Sequence, residues 1–138
     1  MCIRDRHLFW QGIDPVAAVE WLGPLVLHAA AKDTRINENC KIYGVLDDRF
    51  TRIPLSENPT SLGGKHVVNK WPEDSAWDFV AVGRGHDVDF WARFLRALEQ
   101  VDPNMAVNIE HEDVELGQIE GLQKAAETLK AANSALVG

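Results

Sequence analysis

Glu110, His111, Glu112 and Asp113 follow one another directly behind the short apolar run Met105–Ile109. Three carboxylates and an imidazole in consecutive positions are groups that bind ligands and move protons. Left dry and unpaired they are costly, so they need partners or water. The run before them follows the turn signal Asp102-Pro103-Asn104 and reads as a strand buried on both faces. In parallel α/β folds, ligands and catalytic groups gather at the C-terminal ends of such strands. A solvated helix N-terminus, where the helix dipole favours acids, is the plainer alternative. Side chains alternate along a strand, which sends Glu110 and Glu112 one way and His111 the other.

Two further places carry similar groups. Leu25–Ala31 is an apolar run containing His28 and followed by Lys32-Asp33. Asp78–Val82 is a shorter apolar run that ends in Gly83-Arg84-Gly85-His86. That turn lacks the third glycine and the βαβ context of a dinucleotide fingerprint. His28 reads more plainly as a satisfied core histidine, and Lys32 and Arg84 read equally as solvated strand-end charges. Gly63-Gly64-Lys65 reads as a small anion nest beside a cation or, more plainly, as a turn.

The elements that would position these groups can be read from pattern. Asp14-Pro15 opens a helix with an apolar stripe of Val16, Val19 and Leu22, which Gly23-Pro24 closes. Asp87 caps a second helix through about Val101, with Phe90, Phe94, Ala97, Leu98 and Val101 at helical spacing. A third runs from about Leu116 to Ala132 on a stripe of Leu116, Ile119, Leu122, Ala126 and Leu129, and Asn133–Gly138 frays. Between the first strand and the second helix, residues 34–77 carry no helical stripe, and a connection of that length is often functional. Ile42–Leu46 and His66–Asn69 read as short hairpin strands within it. Alternation of helix and strand points to a parallel sheet with crossover helices.

Bulk properties set limits. The 138 residues suffice for one domain with a core, and 46% hydrophobic content argues against disorder. A net charge of −7 makes a phosphate backbone a poor partner, so no nucleic acid is expected. Cys2 and Cys40 have neither metal-site nor disulfide-scaffold spacing. No apolar run reaches the roughly 18 residues of a membrane span, and no signal peptide is visible, so no membrane partner and a cytoplasmic location are expected.

Val26-Leu27-His28-Ala29-Ala30-Ala31-Lys32-Asp33-Thr34, Gly83-Arg84-Gly85-His86-Asp87-Val88-Asp89-Phe90 and Val107-Asn108-Ile109-Glu110-His111-Glu112-Asp113 occur in that order. Together they resemble the C-terminal half of the sugar phosphate isomerase/epimerase family. That family has a xylose-isomerase-like TIM barrel and is related to the apurinic-site endonuclease barrels. The resemblance runs from His7 to about Asn133. It implies an α/β fold that is a partial (β/α) TIM barrel, about the last two to three βα units, with a long loop insertion after the first clear strand. Residues 1–6 are then a non-native or unstructured leader, residues 7–133 the C-terminal half of the barrel, and residues 134–138 a frayed tail. A missing N-terminal half, or further copies in a homo-oligomer, would cover the open sheet edge.

The resemblance also implies a site. In the family a divalent metal (Mn, Mg, Co or Zn) is held by acidic and histidine residues at successive strand ends. Glu110 matches the last of these ligands, and His28 is a substitute ligand or a supporting group. Glu110 and Lys32 would be catalytic; Arg84, His7 and Asp33 would bind the substrate. The function implied is metal-dependent isomerisation or epimerisation of a small sugar or sugar phosphate through an enediolate. The chain departs from the pattern in two places. Arg4-Asp5-Arg6 stands where the family has Asp-Pro-Ser before its His, and Ala30 stands at one of two usual His positions. These departures favour an alternative, a non-catalytic partial barrel that binds a sugar or a partner chain. A metal-dependent endonuclease of the related barrel class is a further alternative, disfavoured by the net charge.

Overall fold

The structure, a computed structural model, describes residues 2–47, 49, 51–52, 69–70, 72–113 and 115–136. The expected nest Gly63-Gly64-Lys65, and His66 to Val68 of the expected hairpin strand, lie outside the described residues. The chain forms two compact units, one of Met1–Ile36 with Trp77–Gly138 and one of Asn37–Ala76.

The first unit begins with β1 (Cys2–Arg4), α1 (Asp5–Phe9) and α2 (Pro15–Leu22). Asp14 caps α2 by accepting the Val16 amide, and Gly23 ends it. A 3-10 turn, Gly23–Leu25, leads towards β2 (His28–Ala31) and then β3 (Asp33–Ile36). The second unit contains α3 (Cys40–Tyr43), β4 (Thr51–Arg52) and β5 (Asn69–Lys70), the two strands pairing antiparallel. A short helix therefore stands where the sequence reading expects a strand at Ile42–Leu46. In this unit the Arg49 guanidinium bridges Asp47 and Asp74 and lies 3.4 Å above the Tyr43 ring. The chain returns to the first unit with β6 (Trp77–Val80), α4 (Val88–Val101), β7 (Val107–Ile109) and α5 (Gln118–Leu136). Among the described residues no helix is long and apolar enough to cross a membrane.

The expected partial TIM barrel is not what forms. Among the described residues, parallel pairing is limited to a sheet of three short strands, in the order β1-β2-β7. The other four strands form two separate antiparallel ladders, β3-β6 and β4-β5. The segment behind Lys32, read as the start of a long loop, is strand β3, and its partner is the apolar run Trp77–Val80. Local alternation in Asp33–Ile36 is too short and too polar to announce a strand without its partner. Residues expected to be a leader contribute β1, whose Cys2, Ile3 and Arg4 register with His28, Ala29 and Ala30.

The core lies between one face of the parallel sheet and the helices. Ile3, Ala29 and Ala31 are buried there with Val19, Phe90, Trp91, Phe94, Leu98, Ala125 and Ala132. Trp91 and Phe94 are fully enclosed, and their rings meet edge to face at 5.7 Å. The face that α5 buries differs from the expected stripe. Gly121, Ala125, Thr128 and Ala132 face inward, and Ile119 stays 69% exposed. Small residues let α5 approach its neighbours closely, a preference that a count of large apolar residues cannot see.

The α4 helix shows most plainly how sequence sets local structure. The Asp87 carboxylate accepts the Phe90 amide, Asp89 adds negative charge in the first turn, and Phe90, Trp91, Phe94, Ala97 and Leu98 form the buried stripe. Replacing Asp87 by Ala orphans that amide, so Asp87→Ala is expected to lower unfolding free energy by about 1 kcal/mol. Urea denaturation measures this, and an unchanged midpoint would show that water caps the helix equally well.

Candidate functional site

The parallel register brings the two strand-end clusters together. Ala31 pairs with Ile109, and the Glu110 amide donates to the Ala31 carbonyl at 3.0 Å. Lys32 and Glu110, the next residues, therefore stand side by side. The Lys32 ammonium lies 3.4 Å from Glu110 Oε1, also bonds Glu112 Oε2, and sits 4.9 Å from the centre of the Phe79 ring. Lys32 is only 2% exposed, and Glu110 and Glu112 are 29% and 56% exposed at the side chain. A cation this deep needs matching charge, and two carboxylates with an aromatic face supply it. Glu110 and Glu112 thus share a side, as strand alternation requires. His111 turns the other way and packs so tightly on α5 that a Cβ at Gly121 would lie 1.9 Å from its ring.

The same alternation gives the parallel sheet a polar face opposite the core. His28 and Ala30 lead along it towards Lys32, and Asn108 leads towards Glu110. His28 Nε2 is 2.6 Å from Asn108 Oδ1. His28 opens β2 instead of closing it. It stands four residues before Lys32, or about 13 Å back along a strand.

Asp33 and Arg84 belong to two buried hubs beside this face. The Asp33 side chain is fully buried. It accepts the amides of Thr34, Gly83, Gly85 and His86, and His86 Nδ1 at 2.7 Å. The turn after β6 is thereby wrapped around a carboxylate of the chain itself. Gly83 has φ +91°, and a Cβ at Gly85 would lie 2.4 Å from the Thr34 carbonyl oxygen, which is why these two positions carry glycine. His86 also stacks on Phe9 with ring centres 3.9 Å apart.

Arg84 grips both oxygens of Asp113 at 2.9 Å and reaches Glu115, and Arg35 bridges Glu115 and Asp78. Burial by itself would raise the Asp113 carboxyl, but the amides of Ala81, Glu115 and Leu116 and the Arg84 guanidinium outweigh it and hold it low. Arg35, and then Arg84, hold Glu115 below its usual range. Carboxylates that titrate lower in the folded chain contribute stability that is present above the unfolded carboxylate range, around pH 4, and lost as pH falls through the folded values. The urea midpoint is therefore expected to hold between pH 7 and about 5 and to fall towards pH 3. In Arg84→Leu the acid limb should be shallower; an unchanged limb would assign the acid sensitivity to other groups.

Of the residues the sequence singles out, Lys32 and Glu110 come together, and Glu112 joins them. Asn108 and Phe79 were not anticipated, although period-2 alternation from Glu110 would have put Asn108 on the same face. Arg84 and Asp33 are occupied by Asp113 and by the turn amides, not turned to a substrate. His7 lies in α1, off the strand ends. The described residues offer no matching donor set for the divalent metal implied by the resemblance. Among the described residues no group of three or more His, Cys, Asp or Glu side chains could hold an ion. Glu110 faces an ammonium, Ala30 offers no donor, and His28 is committed to Asn108.

No family model matches the sequence. The chain is 30% identical over 128 residues to the uncharacterized protein YfiH of Bacillus subtilis (strain 168). The alignment covers 93% of this chain and 36% of that protein, so the chain spans about a third of the length of the curated relative it matches.

Proposed function

We propose that this chain contributes the proton-transfer part of a site that isomerises or epimerises a small sugar or sugar phosphate. The observation that carries the proposal is the cluster of Lys32, Glu110 and Glu112 at the C-terminal ends of two adjacent parallel strands. Glu110 is partly open to solvent and can meet a ligand. Its carboxylate would take the proton from the carbon beside a carbonyl, the electron pair moving to the carbonyl oxygen as an enediolate forms. Returning the proton to the former carbonyl carbon, while the neighbouring hydroxyl proton passes to the former carbonyl oxygen, completes an isomerisation; delivery of a proton to the original carbon by a second acid on the opposite face completes an epimerisation. Lys32 is buried and acts through the two carboxylates, which makes it a positioning residue. Its positive charge also favours a nearby enediolate. No step runs through a metal. The remainder of a longer protein, or a second copy, would supply the other walls of the site, and a cytoplasmic setting belongs to the same proposal.

A second reading is a sugar- or partner-binding surface without turnover. It is favoured by the pairing of charge at these strand ends, because Lys32, Asp33, Arg84 and Asp113 all have internal partners. Incubation with aldoses, ketoses and their phosphates in D2O separates the two. Deuterium appearing at the carbon beside the carbonyl, and lost in Glu110→Gln, supports proton transfer. Ligand-induced shifts with no deuterium uptake would replace it with the binding reading.

A further inference from the structure

Three rows of side chains cross the polar face of the parallel sheet. His28 stands in the first, and its Nε2 reaches diagonally to within 2.6 Å of Oδ1 of Asn108 in the second. In the second, Ala30, 3% exposed, registers with Asn108, whose Oδ1 faces His28. In the third, the Lys32 ammonium reaches Glu110 and Glu112 from beneath, with the Phe79 ring beside it. Among the described residues, the carboxylates of Asp33 and Asp113 are committed elsewhere: Asp33 to the turn amides and His86, and Asp113 to Arg84 and three amides.

We infer that Lys32 is the resident counter-cation of this site, and that its strand-end carboxylates are compensated from within the chain and not by a divalent metal ion. The argument is one of space and charge. An ion bound by both Glu110 and Glu112 needs their oxygens about 2.0–2.6 Å away. Lys32 already contacts one oxygen of each, so a metal there would stand next to an ammonium. Two cations that close repel strongly away from bulk water. An ion displaced from Lys32 would need further ligands from the same face. The next row holds Ala30, which offers no polar atom, and Asn108, whose side-chain oxygen already meets His28, and the imidazole of His28 lies about 13 Å back along the strand. Lys32 cannot swing aside freely, because its stem is enclosed and its head would be left buried without charge.

This inference concerns the charge of the site and stands apart from the proposed turnover, so one can fail while the other holds. The experiment is a titration of Mn²⁺ alone into the 138-residue chain, followed by thermal midpoint and by paramagnetic broadening of the Glu110 and Glu112 amide signals. The wild type is expected to show no saturable binding below millimolar Mn²⁺. Lys32→Met keeps the length of the side chain, suits the apolar surroundings, and removes the ammonium from between the carboxylates. It is expected to bind Mn²⁺ at least about tenfold more tightly than wild type at the same signals, since a close like charge is gone. Micromolar binding by the wild type that Glu110→Gln abolishes would overturn the inference. So would a folded Lys32→Met with no gain in affinity. If Lys32→Met does not fold, the wild-type and Glu110→Gln titrations decide the matter by themselves.

Discussion

Asp33→Ala is expected to be the most destabilising single substitution among the described polar residues of this chain. Five donors converge on its carboxylate: the amides of Thr34, Gly83, Gly85 and His86, and the ring Nδ1 of His86. None of these bonds is made at the surface by Asp33, whose side chain is fully buried. Truncation leaves the amides facing a small cavity, and each unsatisfied buried donor costs about 1–3 kcal/mol unless water enters. Removing one member of a buried, hydrogen-bonded charge network costs about 3–5 kcal/mol as a whole. A domain holds only about 5–15 kcal/mol in total, so the variant should sit near the edge of folding. Asp33→Asn keeps the volume but turns an NH2 towards N–H groups on one side, and should lose nearly as much. Urea denaturation measures the loss, and hydrogen exchange at Gly83, Gly85 and His86 locates it. A change within about 0.5 kcal/mol would mean that solvent replaces the carboxylate and that the turn needs no internal anion.

The contrast between Asp33 and Glu110 explains what could be read from the chain before its fold. Both are carboxylates just past a buried apolar run, and pattern treats them alike. Local rules located the helices well: Asp14 and Asp87 are true caps, and Val88–Val101 follows its aromatic stripe closely. They also put Glu110 and Glu112 on one side and His111 on the other. Long-range pairing decided everything else. Asp33 became a structural hub because β3 turns back to meet β6, bringing the Gly83–His86 turn over it. Arg84 became a strut for the same reason, since Asp113 lies beneath it only once β6 and the segment after β7 are packed together. His28 fell at the start of β2 because Gly23–Leu25 took a 3-10 turn and shortened the apolar run from its front. The resemblance to a barrel family singled out Lys32 and Glu110, which the parallel pairing of β2 with β7 brings together, but the barrel it implied does not form. A motif records residue types in order, and the sign of a strand's neighbour, parallel or antiparallel, is not written in it.

Glu110→Gln should remove proton transfer and leave the fold in place. Gln keeps the volume and one acceptor oxygen, and loses the negative charge and the capacity to take a proton. Lys32 would still be matched by Glu112, so the buried ammonium is not stranded and the stability loss should be small, about 1 kcal/mol or less. The catalytic loss should be large. A positioned general base contributes about 10²–10⁴ in rate, equivalent to about 3–5 kcal/mol of transition-state stabilisation. Glu112→Gln is the matched comparison. It contacts the same ammonium, but its side chain is 56% exposed against 29% for Glu110, and it lies two residues further from the strand end. Its removal should alter the position of Lys32 and raise KM while kcat falls by less than about tenfold. The measurement is the rate of deuterium uptake from D2O by a sugar or sugar phosphate that the wild type turns over, with the urea midpoint of each variant taken alongside. Loss of uptake in Glu112→Gln with Glu110→Gln near wild type would move the base to Glu112. Unchanged uptake in both, with a large stability loss in both, would make the cluster a structural ion pair, because only a structural role ties these charges to folding while leaving the chemistry untouched.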